Sequence, residues 1–113
     1  MSRAGPSVPR PVASEPRPVA TELRRVAERW KQLPLDDALR SADDVRGLVQ
    51  RLADQVAVAA GEPRARVPDL GPAVLMDQLA VMVHDACVAG LAPGVAADLA
   101  GLRRTLSREA PTP

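Results

Sequence analysis

Apolar residues recur at helical spacing in four stretches of the chain, and no stretch shows the alternation typical of a strand. In the most apolar stretch, Leu70–Gly90, Gly71 can cap a helix and Pro72 suits its first position, where a proline loses no hydrogen bond. We therefore predict a central helix over 72–90. Its expected buried half comprises Leu75, Met76, Leu79, Ala80, Met82, Val83, Ala86 and Cys87.

A first helix is predicted over 20–32, from an apolar stripe that continues to Leu33. Pro34 ends this helix because the residue before a proline is disfavoured in the α region. The stripe is expected to be buried and consists of Leu23, Val26, Trp30 and Leu33.

The second helix is predicted over 35–60 and is the longest. Ser41 with Asp44 resembles a capping box, so a break near Arg40 is the alternative. One continuous helix is favoured because the apolar phase passes through Ser41 without slipping. The stripe expected to be buried is Leu35, Ala38, Ala42, Val45, Leu48, Val49, Leu52, Val56 and Ala60.

The connections between these helices set the predicted topology. A loop over 61–70 follows the second helix, with Gly61 suited to a left-handed helix end. A turn over 91–94 precedes the last helix, predicted over 95–107. Because short connections favour antiparallel neighbours, we predict an all-α fold, a small up-down four-helix bundle over 19–108.

Both ends of the chain are predicted to lie outside the bundle. Prolines recur through residues 1–18, which predicts a disordered leader that contains arginines. A proline-binding partner is the alternative for this segment, since Pro6 and Pro9 fit the loose PxxP pattern. Residues 109–113 are expected to form a flexible tail. The sequence shows no apolar signal segment, so we expect a cytoplasmic protein.

Composition narrows the class of protein. A chain of 113 residues suits one domain, and Trp30 is its only aromatic residue, so the core must be built from Leu, Val, Ala and Met. A core this small favours self-association, for example as a homodimer. The single cysteine excludes an internal disulfide. Asp77, His84 and Asp85 interrupt the long apolar run, which argues against a membrane-spanning helix.

Few residues offer catalytic or metal-binding chemistry. His84 is the only histidine, and neither Asp77 nor Asp85 stands at a spacing that would chelate a metal with it. Cys87 falls on the apolar half of its helix and is expected to be an inert, buried thiol. No glycine-rich phosphate loop is present. We therefore predict no catalytic residue, no metal and no cofactor, and we expect that the protein is not an enzyme.

A mixed polar strip on the central helix is the first candidate for a function. An ordinary solvated face is one interpretation, and a surface that docks a basic or helical partner is the other. Trp30 is either a core residue or an interface anchor, and Val58 is either a scattered surface residue or part of a contact patch. The candidate partner contacts are Asp77, Gln78, Val81, His84, Asp85, Trp30 and Val58.

Nucleic-acid binding is the alternative function. In an up-down bundle the end of the last helix lies near the start of the first, which would gather an arginine-rich corner. Residues 19–108 carry 12 basic and 12 acidic side chains and no aromatic stacking platform, which disfavours this alternative. The corner would consist of Arg24, Arg25, Arg103, Arg104 and Arg108.

Two sequence segments resemble a known group of proteins. The segment VPDLGPAVLMDQLAVMVHDACVAG, with the join Arg29-Trp30-Lys31-Gln32-Leu33-Pro34-Leu35-Asp36 before it, is similar to short uncharacterised all-helical proteins of actinobacteria. The resemblance covers about residues 20–108 and implies a lineage but no activity.

From the residues themselves, we expect a cytoplasmic, non-catalytic protein-interaction or adaptor module with an unknown protein partner.

Overall fold

Four α-helices account for most of residues 15–108, the part of the chain that the computed structural model describes. No strand occurs between these limits, so the predicted all-α four-helix bundle is confirmed. Most of the predicted leader and the tail lie outside the described residues. The elements are α1 (Arg17–Gln32), α2 (Leu35–Ala60), a 3₁₀ turn (Pro72–Val74), α3 (Leu75–Val88) and α4 (Ala92–Arg108).

Prolines near the start of α1 and α4 lie inside these helices rather than before them. α1 begins at Arg17, three residues earlier than predicted, with Pro18 in its first turn. α4 begins at Ala92 instead of Val95 and includes Pro93. A proline is tolerated at these positions because the first amides of a helix have no acceptor within the helix.

Helix α2 has the predicted bounds and is continuous through Ser41. It ends at Ala60, and the next residue, Gly61, has a φ of 68°, the left-handed conformation expected there. The amide of Glu62 donates to the carbonyl of Ala57 at 2.8 Å and so satisfies one of the last free carbonyls of the helix.

The central helix is shorter than the prediction of 72–90. Gly71, with φ of 91°, leads into the 3₁₀ turn that begins at Pro72, and regular α-helix starts at Leu75. Gly90 has φ of 87° and follows the end of α3. A glycine in this conformation cannot extend an α-helix, so the two glycines limit α3 at both ends.

Each helix contributes to one hydrophobic core, which the stripe predicted for α2 largely forms and to which half of the stripe predicted for α3 belongs. The residues predicted as buried that are only half-buried are Leu23, Trp30, Val56, Met76, Ala80, Met82 and Cys87. Two residues of the α2 stripe were predicted wrongly, since Leu35 is 70% exposed and Ala60 is also exposed. Both lie at ends of α2, where no other helix covers them. The buried apolar residues are Val19, Val26, Leu33, Ala38, Ala42, Val45, Leu48, Val49, Leu52, Leu75, Leu79, Val83, Ala86, Val95, Leu99, Leu102 and Leu106.

The closest helix pairs are α1 with α4 and α2 with α3. α4 runs antiparallel to α2. Arg51 of α2 lies 3.9 Å from Asp98 of α4, whereas Asp44, earlier in α2, lines a cavity together with Thr105, later in α4. At the start of α1, Glu15 lies near enough to Cys87 of α3 to act on it electrostatically. This proximity places the start of α1 at the end of α3.

Residues 61–71 form a strap that runs back along α2. Gln50 binds the amide of Val67 at 2.8 Å, and Arg46, one turn earlier in α2, lies 3.6 Å from Asp69. α3 therefore starts beside the middle of α2 and runs in the same direction. Helix direction alternates across the two short connections, as predicted, but not between α2 and α3. These two helices are parallel because the long strap returns to the middle of α2 before α3 begins.

Candidate functional site

The face of α3 that points away from the core carries most of the predicted contact residues. We call Asp77, Gln78, Val81, His84, Asp85 and Val88 the α3 strip. Val81 and Val88 stand seven positions apart on it and are 55% and 64% exposed. Asp77 and His84 are exposed, and Asp85 is half-buried. Two valines therefore form an apolar centre with polar side chains on both sides.

The strip carries two carboxylates that no ion pair within residues 15–108 neutralises. Asp77 and Asp85 take part in none of the ion pairs formed among residues 15–108. Val81 lies midway between them in sequence. A cationic group of a partner that approached this face would therefore meet a carboxylate on either side of an apolar contact.

Gln78 has a structural task in addition to its place on the strip. Its Nε2 atom donates a 3.0 Å hydrogen bond to the carbonyl oxygen of Pro68 in the strap. The side chain is half-buried, so it links α3 to the strap. Its contribution to a partner contact is thereby limited.

Two shallow apolar grooves flank the strip. The first has a volume of about 370 Å³, and its walls include Leu70 and Val74 beside Val81. The second has a volume of about 390 Å³ and lies where Val56 and Ala60 of α2 meet the end of α3. Together they extend the apolar surface of the two valines onto neighbouring segments. The strap residues of this surface were not singled out as contacts, because their approach to α3 depends on the path of the strap.

The other two predicted protein contacts lie apart from the strip. Trp30 is half-buried and packs against the core from α1, as a core residue would. Val58 is 59% exposed on α2 but lines neither groove. The structure therefore does not bring either residue into the site formed by the α3 strip.

The predicted arginine corner is partly assembled, but around a carboxylate. Arg103 donates a 2.8 Å hydrogen bond to Glu22, and Arg25 lies 3.5 Å from the other oxygen of that carboxylate. These contacts, with a further contribution from Arg104, hold the pKa of Glu22 below its ordinary value, although partial burial opposes the shift. Part of the positive charge of the corner is therefore already neutralised within the protein.

The remaining two arginines of the corner make no contact with Glu22. Arg24 is exposed, and Arg108 donates a hydrogen bond to Thr105 at 3.3 Å. The corner thus offers exposed guanidinium groups at its edge, while its centre is an internal ion pair.

The described residues hold little that resembles a reaction centre. No group of three or more His, Cys, Asp or Glu between residues 15 and 108 is arranged to hold a metal ion. Burial raises the pKa of the Cys87 thiol, and the nearby Glu15 carboxylate raises it further. A thiol with a raised pKa is a poor nucleophile at neutral pH. The Cys87 side chain is half-buried rather than fully buried as predicted.

Comparisons with known proteins add no family to this picture. No family model matches the chain, and no curated protein or solved structure matches it either. The actinobacterial lineage therefore stays a prediction. Within residues 15–108, no helix combines the length and the apolar character needed to cross a bilayer.

Proposed function

We propose that this chain is a cytoplasmic, non-catalytic interaction module that binds a basic amphipathic helix of a partner protein along the α3 strip. The observation that carries the proposal is the pair Val81 and Val88, more than half exposed and seven positions apart, beside the unpaired carboxylates Asp77 and Asp85. Apolar residues that repeat every two helical turns are what a partner helix recognises when it lies along another helix.

The two grooves favour a helix as the binding partner over a partner with a flat contact surface. They lie at opposite ends of the exposed part of α3, one beside Val81 and one beside Val88. Large side chains of a partner helix, spaced by two turns, would enter one groove each. Burial of such anchors provides most of the affinity in helix-in-groove complexes.

Charge favours a basic partner over a second copy of this chain. A two-fold axis through Val81, with antiparallel α3 helices, would place Asp77 of one copy opposite Asp85 of the other at both ends of the contact. Like charges in such positions repel each other and oppose association. Lysines or arginines of a partner would instead pair with both carboxylates. Self-association through another surface stays a separate prediction, which light scattering across a range of protein concentrations tests.

The proposal is tested by selection of helical peptides from a displayed library against the full chain. The selected peptides are expected to be amphipathic helices with apolar residues seven positions apart and lysine or arginine beside them. Val81→Asp should weaken their binding by about tenfold or more, because it places a charge at the apolar centre. Val58→Asp is the matched control, since Val58 is equally exposed but lies outside the grooves, and it should leave binding unchanged.

Charge variants of the strip separate this site from other surfaces. Asp77→Asn with Asp85→Asn should weaken the basic peptides and make binding less sensitive to salt. Selected peptides that are acidic, or that bind the Val81→Asp variant as tightly as the unmodified chain, would overturn the proposal. Salt-sensitive binding of labelled DNA that is lost on Arg104→Gln would instead support the nucleic-acid alternative.

A further inference from the structure

A cleft between the strap and α2 is a second candidate site, which shares only Gln78 with the α3 strip. Its volume is about 570 Å³, and its walls come from the middle of α2, from strap residues 64–69 and from Gln78 of α3. This volume lies within the usual range for sites that bind small molecules. The cleft is therefore large enough for a small ligand.

The outer wall of this cleft is hydrogen-bonded to α2 through the side chain of Gln50. The Oε1 atom of Gln50 accepts a 2.8 Å hydrogen bond from the amide of Val67, and its Nε2 atom donates a 3.0 Å hydrogen bond to the carbonyl oxygen of Ala65. From the other side, Gln78 donates to the carbonyl of Pro68. The strap thus has three hydrogen bonds to the helices over four residues, so the cleft is a formed feature of the fold.

Three guanidinium groups line the cleft, and two of them have no acidic partner in the part of the chain that the structure describes. Arg46 is committed, since it lies 2.8 Å from Asp43 and 3.6 Å from Asp69. Arg64 and Arg66 are exposed and appear in no ion pair among the described residues. These two arginines stand two positions apart in the strap, so their uncommitted positive charges are close together.

The carboxylates of the cleft do not offset these two arginines fully. Asp69 is already beside Arg46, and Asp54 accepts a 2.9 Å hydrogen bond from Nε2 of Gln50. The three arginines and two aspartates in the lining leave a formal charge of +1. A ligand that brings two or more negative charges would find two cations with no competing internal partner.

We propose that the strap cleft binds a small, multiply charged phosphate compound through Arg64 and Arg66. A guanidinium group presents parallel N–H donors that match two oxygens of one phosphate, and two adjacent guanidiniums match a diphosphate better than a single charge. The site goes beyond the proposed protein contact, because it takes a small anion and its two binding residues, Arg64 and Arg66, lie outside the α3 strip.

The test is calorimetric titration of the full chain with inorganic pyrophosphate, with ionic strength held constant by sodium chloride. Binding is expected, and Arg64→Gln with Arg66→Gln should weaken it by about tenfold or more, because each lost charged hydrogen bond removes a substantial share of the affinity. Both side chains are exposed, so this variant keeps the core intact. Arg24→Gln with Lys31→Gln is the matched control, as it removes two exposed cations elsewhere, and it should bind pyrophosphate as the unmodified chain does.

A second variant tests the cleft without a change of charge. Gln50→Ala removes the hydrogen bonds that hold residues 65–67, and we expect weaker binding because the two arginines are then no longer positioned together. Absence of binding to the unmodified chain, or equal losses in the Arg64/Arg66 and Arg24/Lys31 variants, would overturn the proposal. Retention of full affinity in the Gln50 variant would also contradict it. None of these outcomes depends on whether the α3 strip binds a helix.

Discussion

The Nε atom of Arg103 on α4 donates a 2.8 Å hydrogen bond to Oε1 of Glu22 on α1, across 81 positions of the sequence. The two side chains are 32% and 17% exposed, so this ion pair lies at the edge of the core. It joins two helices that pack closely on each other but are separated in the chain by α2 and α3. The pair therefore links the first and last helices directly.

The first prediction concerns the pH dependence of this contact. The hydrogen bond from Arg103 lowers the pKa of Glu22 below its ordinary value of 4.5. The folded state thus binds the Glu22 proton less tightly than the unfolded state does. The resulting stability is fully present above pH 4.5 and is lost as the pH falls through the lowered pKa.

Glu22→Gln should therefore reduce the free energy of unfolding by about 1 kcal/mol at neutral pH. The difference from the unmodified chain should shrink in acid, where Glu22 of the unmodified chain becomes protonated. Urea denaturation at several pH values measures this. Glu28→Gln is the control, because Glu28 is exposed and forms no ion pair among the described residues. An equal effect at acid and neutral pH would contradict the explanation.

The second prediction concerns the strap. Gln50→Ala removes both hydrogen bonds that hold Ala65 and Val67 to α2. We expect faster hydrogen exchange at the Val67 amide and a loss of about 1–2 kcal/mol in the free energy of unfolding, because the strap groups lose their partners. Gln55→Ala is the matched control, since Gln55 is an exposed glutamine of the same helix. Unchanged exchange at Val67 would show that the strap does not depend on Gln50.

The third prediction concerns a buried hydroxyl. Ser41 is fully buried in α2, and its Oγ atom has no hydrogen-bond partner among the described residues. Ser41→Ala should raise the free energy of unfolding by about 1 kcal/mol, because it removes an unsatisfied polar group and favours the helix.

Thermal and urea unfolding measure the effect of Ser41→Ala. Ser107→Ala is the control for helix propensity alone, because Ser107 is exposed on α4. A gain no larger than that of the control, or a loss of stability, would show that the Ser41 hydroxyl is satisfied in solution.

The fourth prediction concerns the thiol of Cys87. Burial is the larger cause of its raised pKa, and the Glu15 carboxylate is the smaller one. The rate of alkylation by iodoacetamide should therefore rise with pH through a midpoint above the ordinary value of 9.0. Glu15→Gln should move this midpoint toward that value without reaching it, since burial remains. A midpoint at or below 9.0 in the unmodified chain would contradict the raised pKa.

The α3 strip shows how far a periodic pattern can predict a candidate site. The angular positions of Asp77, Val81 and Asp85 on a helix follow from their spacing, and the structure places them on the exposed face as expected. The grooves beside them were not predictable from spacing. Leu70 lies in the strap, and its distance from α3 depends on hydrogen bonds between the strap and α2 that no local sequence pattern predicts.

Local residue patterns are sufficient to predict which segments become helices and which face of each is apolar. These properties depend on residues within about one turn of each other, such as Pro34 before α2 and Gly61 after it. Helix ends near prolines were less predictable, because Pro18 and Pro93 are compatible both with a helix start and with a loop.

Tertiary structure alone decided the direction of α3, the exposure of Leu35 and the cleft lined by Arg64 and Arg66. The direction of α3 depends on contacts between Gln50 and Val67, which lie 17 positions apart. Leu35 belongs to the predicted apolar stripe of α2, yet it is 70% exposed, although Ala38 in the same turn is buried. Burial is a property of what packs against a residue, so periodicity can assign a face to a helix but cannot show where that face is covered.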